Sequence, residues 1–152
     1  MKQVPKASLK RLERLFHIRE TYVSIAEANV KRAEGEVRRF ENADVEVRGN
    51  IQHTQAQIAY LQNAMGSDIQ NGDMYIQALN QQRKIIHQSL ETARTNLAER
   101  RAEWTQAMKE QKIIEKLQER RLHQWEREDD AANQKTQDDV SIGRYVRTRE
   151  KH

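Results

Sequence analysis

The side chains best suited to acid–base or metal chemistry in this chain are its five histidines, His17, His53, His87, His123 and His152. Two imidazoles four residues apart would share one face of a helix and could grip a metal ion. No pair here has that spacing. Cysteine is absent, which excludes disulfides and thiolate ligands. The phosphate-cradling G-x-x-x-x-G-K-S/T, the dinucleotide-binding G-x-G-x-x-G and the nucleophile elbow G-x-S-x-G are absent too. The residues therefore predict no catalytic centre, no cofactor and no metal, and a protein that is not an enzyme.

What remains is an organisation of long elements. Of 152 residues, 33% are charged, 36% hydrophobic and only 5% aromatic, too few large apolar side chains for a thick globular core. Disorder does not fit either, because the apolar residues recur regularly and Pro5 is the sole proline. Steps of three and four from Leu9 run through Leu12, Phe16, Arg19, Val23, Ala26, Val30, Ala33, Val37, Phe40, Asp44, Val47, Ile51, Thr54, Ile58, Leu61 and Met65. All but Arg19, Asp44 and Thr54 are apolar, the pattern of a coiled-coil seam. With Leu9 at heptad position a, Gly35 and Gly49 both fall at f, the outermost position, where they weaken the helix without opening the seam. A second seam runs from Ile76 through Leu79, Arg83, Ile86, Leu90, Ala93, Leu97, Arg100 and Trp104 to Ala107, then weakens.

Between the seams lies Gly66–Asp73, "GSDIQNGD", rich in turn-forming residues. Gly66 is placed to cap the first helix in a left-handed conformation, and Asp73 to cap the second. Ser67 with Gln70 offers a weaker capping box. The expectation is an all-α fold, a long antiparallel two-helix coiled-coil hairpin forming one domain. Its first helix covers residues 6–65, its turn 66–73, its second helix 74–135, and a frayed tail 136–152. If Met65 meets Ile76, facing residues carry numbers that sum to about 141. That register sets Phe16 opposite Trp125, Val37 opposite Trp104, and Asp44 within reach of Arg100 as a charge pair in the seam. A hairpin with one thin seam is expected as a monomer that could self-associate in isolation.

Charge is distributed unevenly. Residues 1–14 hold five bases and one acid, and residues 74–127 hold eleven bases against seven acids. Residues 128–140 reverse the sign with five acids and one lysine, and 141–152 return to a net +3. Neighbouring blocks of opposite sign suit electrostatic steering onto a protein partner. Nucleic acid is disfavoured despite the pI of about 9.4, because acids are interspersed through both helices rather than excluded from a basic face. No apolar run reaches the length of a secretory or membrane-spanning segment, so a soluble, cytoplasmic protein is expected.

The stretch "EKLQERRLHQWEREDDAANQKTQDD", residues 115–139, resembles the C-terminal signature of the flagellar FliJ family. It carries Glu115 with Lys116, the doublet Arg120 and Arg121 before Leu122, an aromatic Trp125, the acidic cluster Glu126 and Glu128 to Asp130, then Lys135 and Asp138 with Asp139. The start "SLKRLERLFHIRE" and the segment "YIQAL" after the break also resemble the family. Trp125 stands where tyrosine is commoner, and the tail from Ser141 to His152 has no counterpart in the family pattern. The resemblance implies a non-enzymatic, stalk-like coiled coil of type III protein export. Such a protein inserts into a hexameric export ATPase, promotes its assembly, engages the membrane export gate from the cytoplasmic side and handles export chaperones. On that reading Lys116, Arg120, Arg121 and Trp125 are ATPase-contact candidates, and Tyr75 and Leu79 are export-gate candidates, with Tyr60 added by proximity. The alternatives are an injectisome stalk counterpart, a generic adaptor coiled coil, and, less favoured, a basic nucleic-acid binder.

Overall fold

A computed structural model of the chain describes residues 6–61 and 66–150. It consists of two helices, α1 (Lys6–Tyr60) and α2 (Gly66–Glu150), which pack against each other, with no strand among the described residues. The long antiparallel helical pair expected from the repeat is what the backbone forms. Every α1 seam position from Leu9 to Ile58 is buried or half-buried, Arg19 and Thr54 included. So is every α2 seam position from Ile76 to Ala107. The chain divides into two compact units, Met1–Val23 with Ala107–His152, and Ser24–Gln106.

In the unit Ser24–Gln106, Val30, Ala33 and Val37 of α1 cluster with Leu90, Ala93 and Leu97 of α2, and Phe40 and Trp104 pack on the margin. Small Ala33 and Ala93 alternate with larger side chains, which lets two helices close on a seam only one residue wide. Ion pairs flank it, Glu34 to Arg101 and Glu41 to Arg94, each at 3.6 Å. Both glutamates occupy heptad position e, beside the seam. These exposed pairs contribute little stability individually but fix which residues pass each other. In the unit Met1–Val23 with Ala107–His152, Leu12 is buried, and Arg19 Nη1 donates to Glu110 Oε2 at 2.6 Å across the two helices.

These contacts overturn the expected register. In an antiparallel pair, a residue at heptad position a on one helix must face position d on the other, because the chains pass each layer in opposite senses. Setting Met65 against Ile76 would put a against a and leave half the seam unpaired. The observed register is displaced by roughly eleven residues, a heptad and a half. Asp44 accordingly meets Arg83 and His87 rather than Arg100, whose partners are Asn96, Glu99 and Glu103 on its own helix. The same displacement carries Phe16 away from Trp125, since Arg19 already lies level with Glu110.

The turn expected at 66–73 is helical, and α2 begins at Gly66. Ile69 and Gly72 continue the three–four repeat backward from Ile76, and both are half-buried. A segment with seam to bury stays helical despite its turn-forming composition. No described glycine has a positive φ, so Gly66 is no left-handed cap. Asp73 lies inside the helix, and Asp68 is the acid in the first turn, where it faces the positive end of the helix dipole. The connection lies between Tyr60 and Gly66. Met65, expected as the last seam residue, lies outside the described residues. The tail expected to fray is helical to Glu150, with Arg147 and Arg149 in the last turn complementing the dipole.

Gly72 shows why its position lacks a side chain. A Cβ there would lie 2.7 Å from Ile58 Cδ1 and 2.8 Å from Ile58 Cγ1. Ile58 fills the space that Gly72 leaves, and this contact offsets part of the helix-propensity cost of the glycine. Gly72→Val should lower stability by about 1–3 kcal/mol through overpacking. Adding Ile58→Ala should recover part of that loss, so thermal melts of the two single variants and the double variant should be non-additive.

Candidate interaction surface

The sequence candidates divide between the two compact units. Within Met1–Val23 with Ala107–His152, Lys116 and Arg120 are four residues apart on one face of α2, and both are exposed. At 100° per residue the same outer face also collects Lys109, Lys112, His123 and Arg127, all exposed. The spacing of these four was available in the sequence, but the motif that drew attention to Arg120 hid the longer row. Arg121 and Trp125 lie on a different face, continuing the seam line. Trp125 is half-buried, while Arg121 is exposed. The doublet Arg120–Arg121 is thus two separate surfaces. From Asp129 to Glu150 every residue of α2 is exposed except Gly143, which is half-buried.

Within Ser24–Gln106, Tyr60 is 92% exposed at the end of α1, beside an open groove of about 520 Å³ lined by His53, Ala56, Gln57, Tyr60 and Leu61. Tyr75 is half-exposed, next to the exposed Met74. Leu79 is buried at 6% exposure and is a seam side chain, so it presents no surface to a partner. Two aromatic rings and a thioether are left in water near the connection, in a unit that also exposes Ile25, Val45, Leu61 and Ile85.

The most unusual polar group is Asp44, buried at a seam position. Arg83 Nε donates to its Oδ1 at 3.0 Å, His87 Nε2 lies 2.9 Å from the same oxygen, and Arg48 Nε lies 3.2 Å from Oδ2. With its proton on Nε2, His87 donates as well. Burial alone would push the Asp44 carboxyl up, but the hydrogen bonds and charges of Arg83 and His87 outweigh it and lower the pKa from the ordinary 3.8. The buried acid meets bases, but Arg83 and His87 take the place expected of Arg100 because the register differs. Among the described residues no group of histidines and carboxylates could hold a metal ion, and no helix is long and apolar enough to cross a membrane.

A comparison with protein families matches residues 8–150 to the model described as "Flagellar FliJ protein". The chain belongs to the FliJ family. No curated protein and no solved structure matches it. Membership makes the chain a component of flagellar protein export, in a family whose members are structural rather than known enzymes. For a FliJ chain, then, the surfaces that matter are those offered to other proteins of the export apparatus.

The lowered pKa of Asp44 means the folded state holds its proton less tightly than the unfolded chain does. Its stabilising contribution is therefore fully present above the ordinary carboxylate value and drains away as pH falls through and below it. Asp44→Asn should cost about 1–2 kcal/mol at pH 7. The gap to the unsubstituted protein should narrow in melts taken from pH 5 down to pH 3, at roughly the range where carboxylates titrate.

Proposed function

We propose that this FliJ-family chain acts as the stalk of a flagellar export ATPase, a non-enzymatic coiled coil that enters the hexameric ring, favours its assembly and raises its activity. The observation that carries this reading is the exposed basic row on α2, built on Lys109, Lys112, Lys116, Arg120 and Arg127, in a chain of this family. A row of this kind, fixed on one face of a rigid helix, suits carboxylates lining a ring lumen, to which arginine binds in bidentate fashion. Trp125 and Arg121, on their separate face, supply a second contact with an apolar anchor. Beyond Asp129 the exposed helix is a single strand of backbone, narrow enough for a lumen.

In the other unit, Tyr60 and Tyr75 are the contacts proposed for the export gate on the cytoplasmic side of the membrane, because both are exposed aromatics. Empty export chaperones are the third partner class. The injectisome counterpart would share the same chemistry, and the partner ATPase distinguishes the two systems.

The test is reconstitution with the export ATPase from the same genome. The chain should promote hexamer formation and accelerate hydrolysis several-fold. Lys116→Glu with Arg120→Glu should abolish most of that gain, whereas Tyr60→Ala with Tyr75→Ala should leave it intact and reduce export in cells. An ATPase that assembles and turns over identically with and without the chain would refute the stalk reading.

A further inference from the structure

The tract Gly66–Asp73 is a local contradiction, since Gly66, Asn71, Gly72 and Asp73 are turn-forming residues held in the first two turns of a helix. The seam around it is nearly featureless. Valine, alanine, leucine and isoleucine recur at a fixed three–four spacing on both helices, so sliding one helix past the other by a single heptad again sets a against d with apolar side chains in most layers. A slip that lengthens α1 and shortens α2 would move the turn into Gly66–Asn71, onto the residues best suited to make one.

Three features of the unit Ser24–Gln106 oppose that slip, alongside the Glu34–Arg101 ion pair there and the Arg19–Glu110 pair of the other unit, which would also part. Asp44 would leave Arg83 and His87 for the methyl group of Ala93, which can satisfy no carboxylate. Arg48, now beside Asp44, would come level with Arg94. Ile58 would leave the space above Gly72. Only the first involves a buried charge, which would keep Arg48 of its own helix but lose both partners from the facing helix, and stripping partners from a buried charge is the costliest of these losses. A lone polar group at a seam position is also the best-attested way for a coiled coil to specify register.

We infer that the hairpin encodes two registers one heptad apart, the observed one with α2 helical from Gly66 and a second with its turn within Gly66–Asn71, and that the Asp44–Arg83–His87 contact is the clamp that holds the first. The second register displaces the helices by about 10 Å along their axes. A partner that engages the clamp from outside, where His87 and Arg83 are accessible, would release it. The inference stands independently of the stalk reading, because it concerns only contacts inside the chain.

The experiment uses the full-length protein, whose lack of cysteine allows spin labels at Arg38→Cys and Glu91→Cys, two exposed positions nearly level in the observed register. Pulsed electron-resonance distances should give one population in the otherwise unsubstituted chain. Asp44→Leu, which keeps an apolar seam, should add a second population corresponding to an axial displacement of about 10 Å. Arg83→Ser with His87→Ser, which breaks the same contacts from the other helix, should produce the same second distance. Removing the turn residues with Gly66→Ala and Asn71→Ala in the Asp44→Leu background should eliminate it. Retention of the single original distance in Asp44→Leu, with circular dichroism showing intact helix, would overturn the inference. So would a second population that survives removal of the turn residues.

Discussion

A seam one side chain wide is the constraint on which everything else here depends. Two helices meeting along a single stripe bury little apolar surface per residue, and the hydrophobic effect scales with buried area. Most of the chain is therefore free to be polar, and 33% of it is charged. The narrow seam gains stability through its length, which explains why helix persists through residues that would turn elsewhere, such as Asn71 and Gly72. It also explains why one buried carboxylate carries so much weight. In a thick core Asp44 would be one group among many; in a single stripe it interrupts a whole layer, and Arg83 and His87 must cross from the facing helix to complete it.

Much of this was legible in the residue order. The three–four repeat identified every buried position of α1 from Leu9 to Ile58, including the polar exceptions Arg19, Asp44 and Thr54, because period alone decides which face of a helix turns inward. Register was not legible by the same means. A repeat matches itself at every heptad, so apolar pattern cannot distinguish one alignment from the next, and only the requirement that a meet d excludes the alignment chosen from the turn. The turn itself was misplaced because glycine and asparagine express a local preference, while Ile69 and Gly72 belong to the repeat. Burial won over propensity, as it usually does where the two conflict.

The surface was partly legible. Lys116 and Arg120 were found through a motif and are placed on a common face by simple rotation, as are Lys109, Lys112 and Arg127, which no motif indicated. Leu79 illustrates the opposite error. A family position can be fixed by seam packing rather than by contact with a partner, and its burial gives the first explanation without the second. Trp125 sits between these cases, half-buried and half-available.

The last stretch of α2, exposed from Asp129 to Glu150 apart from Gly143, is helical without burying a seam of its own. Its local support is short-range: Thr136 and Thr148 hydroxyls donate to carbonyls one turn back, and Gln134 reaches Asp138. A tail that docked from a disordered state would surrender backbone entropy on binding, on the order of 1–2 kcal/mol for each residue ordered. A tail already helical has made that sacrifice during folding, so its recognition by another protein proceeds as a nearly rigid event whose speed is governed by diffusion and charge rather than by a search through conformations.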